Sequence, residues 1–228
     1  MKYEVLIFDA DETLFDFKKA EKYALENAIK DFNIDYDEDI HLNKYSKIND
    51  AIWKELELGK ITLEKLKTER FLRFIKELEL KADEIEMSEA YMNHLGDAGF
   101  LIDGSEALIK ALNGKYELVI VTNGITSIQK RRVKASPIAD YFHSILISEE
   151  ENLFKPDKRI FERALESINH KDKSSVLIIG DSLTSDIMGG NNAHIDTCWY
   201  NPHHSKNVTS AKPTYEVSSY DELLKLLQ

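Results

Sequence analysis

The chain has 228 residues, 43% hydrophobic and 31% charged, enough for one full core or for a core domain with a modest companion. Lys and Arg number 30 against 41 Asp and Glu, and the formal charge of −11 disfavours a nucleic-acid backbone or an anionic membrane surface as partner. Cys198 is the single cysteine, which excludes an internal disulfide and a cysteine metal cluster; with Met1-Lys2-Tyr3-Glu4 running straight into a strand pattern, the expectation is a cytoplasmic protein with no signal segment or membrane span.

Val5-Leu6-Ile7-Phe8 is a short continuous apolar run, as expected of a strand covered on both faces. It ends at Asp9-Ala10-Asp11-Glu12-Thr13. From about residue 16 to 97 the pattern changes to long apolar-periodic segments near 17–31, 38–57, 62–80 and 83–97, which predict a row of helices. Leu56, Gly59, Ile61, Leu63 and Leu66 mark one helix-to-helix turn, and Phe71, Phe74, Ile75 and Leu78 draw a stripe at the helical period. Trp53, Phe71, Phe74 and Tyr91 are core candidates.

Beyond residue 97, apolar runs at Leu118–Val121, Ser144–Ile147, Val176–Ile179 and Ile195–Trp199 alternate with helical patterns at about 104–113, 125–135, 157–168, 183–193 and 219–227. Asp103-Gly104-Ser105 and Ser218-Ser219 supply helix starts, the second with Glu222 placed for a capping box. Arg131 and Arg132 read as solvating a helix, His203 and His204 as a surface pair, and Cys198 as a small buried hydrophobe. The alternation predicts an α/β class fold: a doubly wound parallel-sheet core from 1–15 and 98–228, with 16–97 as an inserted, four-helix-type cap. Because the insertion leaves directly after Asp9 and Asp11, the cap is expected to hang over the crevice those side chains enter.

A parallel sheet collects its strand ends along one edge, so Asp9, Asp11, Thr122, Asn123, Lys155, Asp181 and Asp186 should meet there. Each is weak alone, since aspartate is common after strands, a lone lysine is usually solvated, and Thr-Asn-Gly also makes an N-cap and turn. Their common placement carries the expectation. Asp9, closing the strand, suits a nucleophile or direct metal ligand, and Asp11, on the shoulder, a proton carrier. Carboxylates gathered this closely repel and would hold protons unless a cation sat among them, and oxygen-only ligation favours a hard ion such as Mg²⁺. A carboxylate can also attack phosphorus to give an acyl phosphate. Lys155, held at a strand-to-helix junction by Pro156, offers a point charge to the transferring group, with Thr122 and Asn123 as hydrogen-bond donors.

Asp9-Ala10-Asp11-Glu12-Thr13 resembles the first motif of the haloacid dehalogenase-like hydrolase superfamily. Thr122 is similar to its second motif, Lys155-Pro156 to its third, and Gly180-Asp181-Ser182-Leu183-Thr184-Ser185-Asp186 to its acidic fourth. The resemblance implies a two-step phosphatase. Asp9 attacks a phosphomonoester while Asp11 protonates the leaving alkoxide and then activates water. Mg²⁺ is held by Asp9, the Asp11 backbone carbonyl and Asp181 with Asp186 in support, and Thr122, the Asn123 backbone amide and Lys155 cradle the phosphoryl oxygens. Phe8-Asp9-Ala10-Asp11-Glu12-Thr13-Leu14-Phe15 with Thr122-Asn123-Gly124 resembles the branch containing pyrimidine 5′-nucleotidases, which implies UMP, dUMP or dTMP as substrate. Glu12 departs from the glycine that many family phosphatases carry there.

The same residues would serve a phosphatase or mutase acting on small sugar phosphates or phosphoglycolate. A receiver-like phospho-switch also uses acidic residues, a Thr and a Lys around Mg²⁺, but needs no cap. No Gly-x-Gly-x-x-Gly follows the first strand, which disfavours a nicotinamide site. The expected partner is a small phosphorylated metabolite, a nucleoside monophosphate first, with no polynucleotide, for a monomer or homodimer.

Overall fold

In a computed structural model of the chain, which describes residues 2–228, the apolar runs become strands: β1 (Val5–Phe8), β2 (Glu117–Thr122), β3 (Ser144–Ile147), β4 (Val176–Gly180) and β5 (Asp196–Tyr200). A further short strand, Tyr215–Val217 (β6), pairs with β5 at the sheet edge. Every pairing is parallel, in the order β3-β2-β1-β4-β5-β6. β1 is central, with Phe8 opposite Ile120 on one side and Ile179 on the other. The chain builds outward from β1 to β3, then returns to β1's other side with β4. This is the strand-order reversal at which open α/β sheets form a crevice beyond their carboxyl ends.

Alternate side chains of each central strand go to opposite faces. Leu6, Phe8, Leu118, Ile120, Leu177, Ile179 and Cys198 pack with α5 (Ser105–Leu112) and α10 (Tyr220–Leu226). Val5, Ile7, Val119, Val121, Val176 and Ile178 pack on the other face with α8 (Lys158–Ser167). Burial on both faces explains why the strands read as unbroken apolar runs. Cys198 is buried, and burial pushes its thiol up to about 12. The remaining core-unit helices are α6 (Thr126–Ala135), the four-residue α7 (Ser148–Glu151) and α9 (Met188–Ala193). The last helix starts at Ser219, whose hydroxyl accepts from the Glu222 N–H, and the Ser218 N–H donates back to the Glu222 carboxylate.

The chain divides into two compact units, Met1–Phe17 with Phe100–Gln228, and Lys18–Gly99. The second holds nearly all of α1 (Phe17–Asp31), and α2 (Asn43–Glu57), α3 (Leu63–Leu78) and α4 (Glu84–Asp97). Its core is a cluster of rings, with Tyr45 5.2 Å from Phe71 and 5.1 Å from Tyr91, and Phe74 edge-on to Tyr45 at 5.5 Å. Trp53, expected in that core, is only half-buried. A polar seam crosses the same unit: Arg70 donates to Asn49, which donates to Glu21, and Ser46 donates to the other Glu21 oxygen. Within the first unit, the outgoing and returning segments pair antiparallel at Phe15 and Leu101, with the Asp16 N–H on the Phe100 carbonyl and the Ile102 N–H on the Leu14 carbonyl.

Two expected helices differ at their starts. The segments 38–57 and 183–193 each open on a π-helical turn, Glu38–Leu42 and Leu183–Ile187. In the second, Ser182 caps the turn through its hydroxyl, and its N–H donates to Asp186 at 3.0 Å, drawing that carboxylate back beneath the end of β4.

Candidate active site

The sequence-predicted residues collect at the carboxyl edge of the sheet. β1 is prolonged by the Asp9 N–H on the Ile179 carbonyl, so Asp9 stands at the seam between β1 and β4. The loop that follows is tight. Leu14 and Phe15 N–H both donate to the Ala10 carbonyl, and Glu12 takes a φ of 59° to let the chain turn. Thr13 is buried and accepts from the Asp181 N–H at 3.1 Å, which fastens the first loop to the end of β4. Trp199 donates to the Asp181 carbonyl at 2.8 Å from β5, so Asp181's backbone is held from both sides.

Lys155 is 2% exposed and reaches between two carboxylates, with Nζ 2.6 Å from Asp9 Oδ1 and 2.7 Å from Asp186 Oδ1. Its third contact is the Val121 carbonyl at 2.9 Å. An ammonium has three hydrogens, and each has an acceptor within the protein here. Its peptide bond to Pro156 is cis. Asn123 braces the lysine's backbone through a reciprocal pair, Nδ2 on the Lys155 carbonyl and the Lys155 N–H on Oδ1, both at 2.9 Å. The Asn123 side chain is thereby occupied within the protein.

Asp9, Asp181 and Asp186 each present a carboxylate oxygen within 4.8 Å of the others. Gly180 makes this possible, since a Cβ there would collide with the Asp186 carboxylate. Burial pushes the Asp9 carboxyl up to about 7, with Lys155 opposing and Asp186 adding to the rise. Burial, reinforced by the charges of Asp9 and Asp186, also holds Asp181 well above the usual carboxylate range. Burial works against the Lys155 ammonium, yet Asp186 and Asp9 overcome it and keep its pKa above the ordinary lysine value. A cluster of oxygen donors that resists ionisation together fits a hard divalent cation, which relieves the repulsion.

Two residues missed in the sequence belong to the site. Arg132, read as solvating a helix, is instead 1% exposed and donates to Asp11 Oδ1 at 2.5 Å. Gln129, also buried, donates to Asp11 Oδ2 at 2.7 Å and to Thr122 Oγ1 at 3.0 Å. Ile125, Ile128 and Val133 share their helical spacing, so both lie on the inward face of α6. Arg131 stays exposed, as expected, and so do His203 and His204. Among the described residues no helix is long and apolar enough to cross a membrane.

Residues 3–194 match the family model of the haloacid dehalogenase-like hydrolases. The chain is 42% identical over its whole length to the pyrimidine 5′-nucleotidase PynA of Streptococcus pneumoniae, covering 96% of that protein. It is 35% identical over 227 residues to the pyrimidine 5′-nucleotidase YjjG of Escherichia coli, covering 99% of it. Among solved structures, the HAD-hydrolase YfnB of Bacillus subtilis, described as bound to magnesium and revealing interdomain movement, superposes with a TM-score of 0.94 at 38% identity over all of both chains.

Proposed function

Because this chain belongs to the haloacid dehalogenase-like hydrolase family and is a phosphoric monoester hydrolase, we propose that it is a Mg²⁺-dependent 5′-nucleotidase that cleaves pyrimidine nucleoside monophosphates through an aspartyl phosphate. The observation that carries the chemistry is the meeting of Asp9, Asp181, Asp186 and Lys155 at one strand-end crevice. The pyrimidine preference is supported by full-length similarity to two proteins named for that activity. Family membership removes the receiver-like switch as an alternative.

In this reading the Asp9 carboxylate attacks phosphorus and the bond to the nucleoside 5′-oxygen breaks, while Asp11 gives that oxygen a proton. Asp11, now a carboxylate, takes a proton from the water that attacks the aspartyl phosphate, releasing inorganic phosphate and restoring Asp9. The Thr122 hydroxyl and the Asn123 backbone N–H hold phosphoryl oxygens. Lys155 fixes Asp9 and balances part of the cluster's negative charge. Asp9, Asp181 and the Asp11 carbonyl, with Asp186 in support, would hold Mg²⁺, whose chemistry when bound is to neutralise the phosphoryl oxygens and keep the clustered carboxylates ionised.

Phosphate release from UMP, dUMP and dTMP, compared with glucose and glycolate phosphates, tests the substrate class with Mg²⁺ present and then chelated. The nucleotides should lead and chelation should stop turnover; faster release from the sugar or glycolate esters would move the assignment to them. Asp9→Asn should fold yet lose activity on the order of 10³-fold or more, the scale of a removed nucleophile. Retained Mg²⁺-dependent turnover in that variant would remove Asp9 from the nucleophile's role.

A further inference from the structure

Asp11 is not positioned by its own loop alone. Both oxygens of its carboxylate are held by one face of α6, Oδ1 by Arg132 and Oδ2 by Gln129. The Gln129 amide also donates to Thr122 Oγ1, and its carbonyl oxygen accepts from Arg132 Nη1 at 3.3 Å. Thr122, Gln129, Arg132 and Asp11 therefore form one continuous chain of hydrogen bonds between the end of β2 and the loop after β1. The members have little freedom. The Arg132 guanidinium lies 5.2 Å over the Phe15 ring and 6.0 Å from that of Phe17, and a Cβ at Gly124 would run into Gln129.

We propose that Gln129 and Arg132 are positioning residues for the acid–base step. They set the Asp11 carboxyl group at a fixed place relative to the Thr122 hydroxyl, and so relative to the phosphoryl group that the hydroxyl binds. The inference rests on the reading of Asp11 as acid and base and of Thr122 as a phosphoryl ligand. Because Thr122 Oγ1 accepts from Gln129, its own hydrogen is left to donate to a phosphoryl oxygen. The other hydrogen of the same amide goes to Asp11, so one planar group spaces the two functions. Proton transfer demands heavy atoms about 2.6–3.2 Å apart, and a misplacement of about 1 Å costs on the order of 10²-fold. A guanidinium that pairs with two groups at once does this better than an ammonium, which makes Arg132→Lys a sharp probe.

The test uses the full chain with Mg²⁺ and compares Gln129→Met, which keeps length and volume, and Arg132→Lys with the parent. On UMP, kcat should fall roughly 10- to 100-fold with KM changed less than about threefold. On p-nitrophenyl phosphate, whose phenolate leaves without a proton, the first turnover should stay fast. A burst approaching one p-nitrophenolate per enzyme should then give way to slow steady turnover, because the attacking water still needs Asp11. An equal loss on both substrates without a burst would mean a merely structural role and overturn the proposal; so would kcat on UMP equal to the parent's. Thermal midpoints identify a variant that has lost its fold, and since Arg132 is buried, Gln129→Met carries the test if Arg132→Lys does not fold. Asp11→Asn, measured alongside, separates the two levels. If it hydrolyses UMP like the parent, the acid–base reading fails and nothing remains to position. If it is impaired while both α6 variants are not, the positioning inference alone falls.

Discussion

At Glu12 the backbone φ of 59° lies in the left-handed region, where a Cβ crowds the following carbonyl. Glycine carries no such penalty, though it gives back some of the gain through its freer unfolded chain. Glu12→Gly is therefore expected to stabilise the protein by about 1 kcal/mol, raising the thermal midpoint roughly 2–4 °C at this chain length. A lower midpoint in calorimetry would show that contacts of the glutamate side chain outweigh the backbone strain. Asp9, Asp11 and Asp181 could be found in the sequence because each follows an apolar run that had to be a buried strand. Gln129 and Arg132 could not be found as easily, because long polar side chains on a helix usually face water. The available signal was their spacing with Ile125, Ile128 and Val133, which puts them on the buried stripe. The sequence puts Lys155 at the right edge without showing its protein partners, since a positive charge in a sequence does not say which anion it will meet. Its ammonium binds Asp9, Asp186 and a carbonyl.

The end of β4 and the π-helical turn after it act as one element. Asp186 comes close enough to serve Lys155 and the Ser182 N–H only because residue 180 has no side chain. Gly180→Ala should push the carboxylate out of place, destabilising the fold by roughly 1–3 kcal/mol, as overpacking does. Phosphate release should fall with it. Midpoint and turnover both at parental levels would show that Asp186 tolerates displacement and is dispensable to the cluster. The central strands were legible because a strand covered on two faces is apolar throughout. β6 was not, because a three-residue edge strand with Glu216 at its centre carries no such run. The π-helical turns were equally hidden: over one turn, their apolar spacing is indistinguishable from that of an α-helix.

Across the whole molecule, the carboxylate cluster ties stability to pH, and a cation held there would be tied to both. Asp9 and Asp181 have folded pKa values above their unfolded ones, so their contribution to stability is complete below about pH 4. It is lost as pH rises through the folded value, about 7 for Asp9. Asp157 and Asp172, which hydrogen bonds hold below the usual range, complete their titration at lower pH and do not offset this. The metal-free protein should therefore melt at a lower temperature at about pH 8 than at about pH 6, and the rise in midpoint on adding Mg²⁺ should be larger at the higher pH. A Mg²⁺ increment that is absent, or the same at both pH values, would contradict cation binding by these carboxylates. The division into a sheet unit and a helical unit has its own implication. The departing and returning segments are zipped together at Phe15 and Leu101, so the helical insert is attached through two neighbouring points on a closed seam. Such a seam isolates the strand register from changes in the length or composition of the Lys18–Gly99 segment, so that segment is free to vary while the sheet stays as it is.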